Sequence, residues 1–256
     1  MKKVDSSFLN NKKPRLKAGA FLLNISMSSK LKSINCVVDE LYQPLFNDFF
    51  KPSVGDYEIT EHRLPRGSLV DKWGNKEFLA AIHFKLNKIT ESIKNGNPDE
   101  IVIWSDVDLF FSAHPTVVIQ DLLNITKDLD LAVSAESRHN NSINSGFIAI
   151  RCNAASLGFY KKFRDAVIKS GWAEQNIMND MLHSSNGLKW KRMPFRYWNT
   201  TIGLPYPASN MMIHVNSIQA FEHVVKVSKA SWTEQKYEML DKLSRSHGWW
   251  RMPKLI

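Results

Sequence analysis

The sequence predicts an α/β fold, a mostly parallel sheet flanked by helices. Two observations carry this. Strand-like runs alternate with runs at helical spacing through the first half of the chain, the order that puts crossover helices between parallel strands. The composition, 43% hydrophobic and 23% charged over 256 residues, suits a globular chain that buries a real core. With no internal repeat, low-complexity tract or linker, one domain over 1–256 is the expected organisation. Residues 1–17 would form a flexible lead and 228–256 a C-terminal helix and tail.

Taken in order, "AFLLNIS" (Ala20 to Ser26) reads as a buried first strand. "KLKSINCVVDELYQPLFNDFF" (residues 30–50) has Ile34, Val37, Val38, Leu41 and Leu45 at helical spacing and predicts a helix. "KPSVGD" is a turn, and Tyr57 to Leu64 alternates like a strand. Lys76 to Gly96 is an amphipathic helix with a glycine stop. "EIVIWSDVDLFF" (Glu100 to Phe111) is an apolar strand broken by two carboxylates. Asp128 to Ser137 and "SGFIAIR" read as strands, and "NAASLGFYKKFRDAVIKSG" as a helix. "EQNIMNDMLHSS" is a short helix, while "KWKRMPFRYW" and "MMIHVN" read as late strands. The last helix, "SWTEQKYEMLDKLSRSHG", opens on a cap at Ser231 and closes at Gly248.

The net charge of +9 favours anionic partners such as nucleotides, phosphorylated acceptors or acidic surfaces, without choosing among them. Two cysteines, Cys36 and Cys152, exclude a disulfide framework and a cysteine metal site, and Cys152 reads as a buried thiol. The basic N-terminus lacks the apolar stretch of a signal peptide, and no window approaches a membrane-spanning helix. The expectation is a cytoplasmic protein. The C-terminal "HGWWRMPKLI" suits peripheral contact with a membrane surface as well as packing on the domain.

Asp106 and Asp108 raise the chemical question, because charged carboxylates are costly to bury without a partner. Residues i and i+2 of a strand point to one side, and ligands of open α/β sheets bind beyond the carboxyl ends of the strands. Two carboxylates there suit a hard divalent cation, Mg²⁺ or Mn²⁺, of the kind that also holds a diphosphate. A strand-end turn with two solvated Asp is the plainer alternative. A phosphatase of the haloacid-dehalogenase kind fits poorly, since Leu109, Phe110 and Phe111 follow where a small or hydroxyl residue is needed.

"HFKLNKITESIKNG", "EIVIWSDVDLFFSAHP", "NSINSGFIAIR", "EQNIMNDML" and "MMIHVN" stand in the order seen in GT-A-type nucleotide-sugar glycosyltransferases. The chain most resembles the nucleotide-diphospho-sugar transferase family that includes plant xylosyl- and arabinosyltransferases, and is similar to the retaining galactosyltransferase-type family. The resemblance spans roughly Trp73 to Asn216. It implies a GT-A-type, Rossmann-like mixed sheet and a hexosyl- or pentosyltransferase acting on a nucleotide-diphospho-sugar donor. Asp106 and Asp108 match the metal-binding D-x-D, the first also reaching the nucleotide ribose, and His214 matches the late histidine that completes the metal site. Asn144, Ser145 and Gly146 match the segment that cradles the donor sugar. Glu174 and Gln175 resemble an Asp-Gln pair near the anomeric carbon, with Glu in place of Asp. Lys85 resembles a basic residue facing the donor phosphates, and Asn24 and Ser26 would touch base or ribose by position. Beyond the His-Val-Asn of "MMIHVN" the chain departs from the family, and neither Lys226 nor Lys229 is assigned to the diphosphate.

The implied partners are a UDP-linked donor and a glycan or glycolipid acceptor, with Mn²⁺ or Mg²⁺ as cofactor and no nucleic acid. A sugar-phosphate nucleotidyltransferase shares a related sheet but usually opens with a Gly-rich loop after its first strand, where "NISMSSKLKS" stands here. A basic nucleotide- or nucleic-acid-binding module, and an inactive transferase-like scaffold, are the non-enzymatic alternatives.

Overall fold

The computed structural model describes residues 31–65, 76–136, 141–171, 174–184, 187–197, 210–215 and 232–246. Its main sheet is built from β1 (Leu31–Val38), β2 (Ile59–Arg63), β3 (Ile101–Ser105), β5 (Leu131–Ala135), β6 (Ile143–Arg151) and β7 (Trp190–Arg192). Their order is β2-β1-β3-β6-β5-β7. All pairings are parallel except those of β6, which runs against both β3 and β5. A second, two-stranded sheet pairs β4 (Leu109–Phe111) with β8 (Met212–His214).

The helix predicted over residues 30–50 forms only in its second half, and it runs on through the first four residues of the predicted "KPSVGD" turn. Residues 31–38 are a strand, and helical structure begins at α1 (Gln43–Leu45), continues as a π-helical turn (Phe46–Phe50) and ends in α2 (Lys51–Val54). Ile34, Cys36 and Val38 alternate on one buried face of the strand, while Val37 and the buried polar Ser33 and Asn35 blur that alternation, so the Ile34, Val37, Val38 spacing also satisfies a helical template. The strand predicted at Glu100–Phe111 is two strands of two sheets, β3 and β4, that at Asp128–Ser137 shortens to β5, and β6 starts at Ile143, two residues before the predicted "SGFIAIR". "KWKRMPFRYW" supplies only β7, after which Pro194 leads into a 3₁₀ turn at Phe195–Tyr197. The predicted strand at Ala20–Ser26, Ser231 and Gly248 lie outside the described residues.

Both faces of the sheet are covered. Ile101 and Ile103 of β3 point to one side, toward Phe46, Phe50 and the apolar face of α4 (Pro115–Ile125). Val102 and Trp104 point to the other, toward α3 (Lys76–Asn95) and α5 (Ala154–Ser170). That alternation explains why β3 is buried at every position and apolar up to Ser105. Helix α5 is capped by Asn153, whose side chain accepts a hydrogen bond from the Ser156 N–H, and stops at Gly171 in the left-handed conformation (φ 64°). Helix α6 (Glu174–Ser184) follows at once.

A third apolar cluster decides where the chain's last described helix sits. Leu240 and Leu243 of α7 (Trp232–Ser246) pack with Phe49, Phe110 of β4 and Ile213 of β8. The β4–β8 pair and α7 are thereby fastened beside the end of β3. Ser53 holds this corner: its hydroxyl donates to the Phe50 carbonyl (2.7 Å) and accepts from the Phe111 N–H (3.0 Å). Ser53→Ala leaves a buried N–H without that acceptor, and chemical denaturation should show a loss of roughly 1–3 kcal/mol. An unchanged midpoint would mean that the hydroxyl does not anchor β4.

Candidate active site

Asp106 leaves the end of β3 and Asp108 immediately precedes β4. The Asp106 N–H donates to the Gly146 carbonyl (2.7 Å), and the Asp108 carbonyl accepts from the Val215 N–H (2.9 Å), just past β8. The two carboxylates therefore hang from two different sheets. Asp106 is open, with 40% of its side chain exposed, whereas Asp108 is sealed at 5%.

His214 of β8 stands directly across from Leu109 in the register, which carries its imidazole to Asp108. Nε2 lies 3.0 Å from Asp108 Oδ1. One ligand atom from each of Asp106, Asp108 and His214 falls within 4.8 Å of the others, the only such cluster of this kind among the described residues. Two carboxylate oxygens and an imidazole nitrogen at that spacing suit a divalent cation such as Mn²⁺. The solvated strand-end alternative is set aside by the burial of Asp108 and His214.

Each carboxylate also has an ammonium. Lys85, on the buried stripe of α3, donates to Asp106 Oδ1 (2.7 Å) and to the Ser145 carbonyl (3.2 Å). It is an ion-pair partner and not a surface lysine. Lys236, on α7, pairs with Asp108 Oδ2 and lies 5.4 Å from the centre of the Tyr42 ring. Burial alone pushes the Asp108 carboxyl up, but Lys236 and His214 against it outweigh that and hold it well below the usual carboxylate range. Burial likewise opposes the charge on Lys85 and Lys236, and their carboxylate partners raise both above the ordinary lysine value.

The cradle segment forms through an irregularity in β6. Val133 of β5 pairs with Ile148, yet Ser134 pairs with Asn144, so residues 145–147 bulge out of the ladder. The Asn144 side chain spans this bulge. Its Oδ1 accepts from the Gly146 N–H (2.8 Å), and its Nδ2 donates to Glu136 (2.6 Å) and Gln175 Oε1 (3.1 Å). Ser145 Oγ donates to Glu174 Oε1 (3.0 Å). The structure thus brings Glu174 and Gln175, at the start of α6, onto Asn144 and Ser145, with Gly146 against the metal-ligand candidates.

Asp106, Asp108, His214, Lys85, Asn144, Ser145, Gly146, Glu174 and Gln175 all meet in one site. Asn24, Ser26, Lys226 and Lys229 lie outside the described residues. Sequence reasoning missed Lys236 and Glu136. Lys236 stands four residues before Leu240 and seven before Leu243, on the apolar stripe of α7, and that position was a readable signal.

The sequence model of the nucleotide-diphospho-sugar transferase family matches residues 56–239. The chain belongs to the nucleotide-diphospho-sugar transferase family. Solved structures share the fold of this glycosyltransferase. One involved in the glycosylation of the major capsid of PBCV-1 is 10% identical, with a TM-score of 0.56 over 82% of this chain and 100% of that one. The apo-form glycosyltransferase GlyE of Streptococcus pneumoniae TIGR4 is 18% identical, with a TM-score of 0.50 over 82% of this chain and 60% of GlyE. At these identities they establish the GT-A fold alone. None of the curated proteins compared matches the chain. Among the described residues, no helix of this transferase is long and apolar enough to cross a membrane.

Gly146 is the tightest point of the transferase site. A Cβ there would run into His214 Cε1 and sit 2.7 Å from Asp106 Oδ2 and 2.8 Å from Asn144 Oδ1. Gly158, in α5, meets nothing within 4 Å. Gly146→Ala should therefore lose roughly 1–3 kcal/mol of stability, while Gly158→Ala gains up to about 1 kcal/mol from helix propensity. Thermal unfolding of the two variants separates them, and a neutral Gly146→Ala would contradict the close approach.

Proposed function

We propose that this chain is a metal-dependent glycosyltransferase that moves a sugar from a nucleotide-diphosphate donor, UDP-linked, to a hydroxyl of a glycan or glycolipid acceptor, with retention at the anomeric carbon. The observation that carries the reading is the meeting of Asp106, Asp108 and His214 with the Asn144–Gly146 bulge and the start of α6. A divalent ion held by those three side chains would act as a Lewis acid on the departing diphosphate.

The other roles fall to the chain's own groups. Lys85 sets a fixed positive charge beside Asp106, where negative charge grows as the donor's C1–O bond breaks. Asn144 and Ser145 are polar groups on a rigid bulge, suited to the hydroxyls of the transferred sugar. Glu174 and Gln175 are oriented by Ser145 and Asn144 and line the reacting face of that sugar. Glu174 is one methylene longer than the family's usual Asp, and the Ser145 hydrogen bond fixes where its carboxylate lies. In the retaining route the acceptor oxygen bonds to C1 as the diphosphate leaves, and the acceptor's proton passes to the leaving phosphate oxygen. No dedicated protein base is required.

Expected localisation is cytoplasmic, with the Trp-rich C-terminus available for peripheral membrane contact.

The test is release of nucleoside diphosphate from a panel of nucleotide sugars, with Mn²⁺ or with chelator. The wild-type chain should turn over one donor class only with metal. Asp108→Asn keeps the size of the side chain but removes its charge, and should lose 100-fold or more of that rate, about 2.7 kcal/mol of barrier. Full activity in a folded Asp108→Asn variant would remove the site assignment.

A further inference from the structure

Resting on the metal-site reading above, we infer that Lys236 is a built-in competitor of the divalent ion. Its ammonium holds Asp108 when no ion is bound, and it yields Asp108 Oδ2 when one arrives. Metal affinity is thereby set by a residue on α7, within the family match but outside the five sequence motifs.

The geometry of Asp108 leads to this. Both of its oxygens are engaged, Oδ1 by His214 Nε2 at 3.0 Å and Oδ2 by the Lys236 ammonium. With 5% of the Asp108 side chain and 7% of the Lys236 side chain exposed, no open side of the carboxylate remains. A cation that reaches Asp106, Asp108 and His214 together has to enter from the open Asp106 side and take a place that existing contacts hold. Lys236 is not a stray side chain. Leu240 and Leu243 fix its helix in the apolar cluster, Tyr237 Oη donates to Asp48 (2.8 Å), and the Tyr42 ring lies beside the ammonium.

Charge gives the direction of the effect. Asp106 is matched by Lys85 and Asp108 by Lys236, so the direct contacts are balanced without metal. Glu174 is the next carboxylate, one hydrogen bond away through Ser145. A divalent ion would place two positive charges next to two ammoniums in a poorly hydrated site, where unit charges a few ångströms apart repel by well over thermal energy. A nucleoside diphosphate brings compensating negative charge. The ion alone is therefore held weakly, and the ion with the diphosphate tightly.

The test reads binding and not turnover. Mn²⁺ is titrated into the full chain while the paramagnetic resonance signal of free Mn²⁺ is followed, with and without UDP. Lys236→Met and Lys236→Gln remove the charge, and the second keeps a hydrogen-bond donor for Asp108. Both should bind Mn²⁺ about tenfold or more tightly than wild type without UDP, and should gain less from adding UDP. Both should also unfold at lower temperature in chelator and be raised further by Mn²⁺ than wild type. A purely structural role predicts weaker binding in both variants. Equal or weaker Mn²⁺ binding by both variants, with wild type binding normally, overturns the competition and leaves the metal site standing. No Mn²⁺ binding by any of the three, with or without UDP, overturns the metal-site reading and the competition with it.

Discussion

The carboxylate of Asp108 is buried where two sheets meet, and the rest of the site follows from keeping it charged. A desolvated carboxylate persists only if paired and hydrogen-bonded. His214 and Lys236 meet that demand, and each dictates architecture. His214 reaches Asp108 only because β8 pairs with β4 in the register that sets it across from Leu109. Lys236 reaches it only because α7 packs its leucines on β4, β8 and the π-helical turn. Breaking such a pair from one side is typically worth 3–5 kcal/mol, so the chemistry and the stability of this corner are not separable.

Asp106 answers to a different constraint. It remains open to solvent, and its position is set by the backbone through the Gly146 carbonyl and by Lys85. The reversed strand β6 matters here. A bulge in a central strand sacrifices ladder hydrogen bonds, and Asn144 recovers part of that by bonding its own strand and α6 at once. The bulge brings Gly146 within touching distance of His214 and Asp106, which no side-chain-bearing residue would permit. One glycine thus joins the cradle segment to the metal-ligand candidates.

Much of this was legible in the chain. The apolar approach to Asp106, the order of five motifs and the amphipathic α3 gave the fold class and most of the site, because burial on both faces and helical spacing leave direct marks in sequence. The marks failed where two patterns coincide. Ile34, Val37 and Val38 lie on a strand covered on both faces, where Ser33 and Asn35 break the period-2 alternation and the remaining apolar spacing meets a helical template equally well. Lys236 was hidden because a lysine in a charged helix reads as a solvated face, and only its alignment with Leu240 and Leu243 distinguishes it. The bulge at 145–147 and the engagement of Glu136 depend on register between β5 and β6, which no local pattern encodes.

The proposed metal-dependent nucleotide-sugar site makes a prediction about binding as well as turnover. Thermal unfolding of the wild-type chain with a panel of nucleotide sugars, with and without Mn²⁺, tests it most directly, since a ligand that binds only the native state raises its apparent stability. A rise for one nucleotide class that requires the metal is expected, on the order of 2.7 kcal/mol at a hundredfold excess over Kd. No rise for any donor, with Mn²⁺ or without it, would mean that these residues do not form such a site.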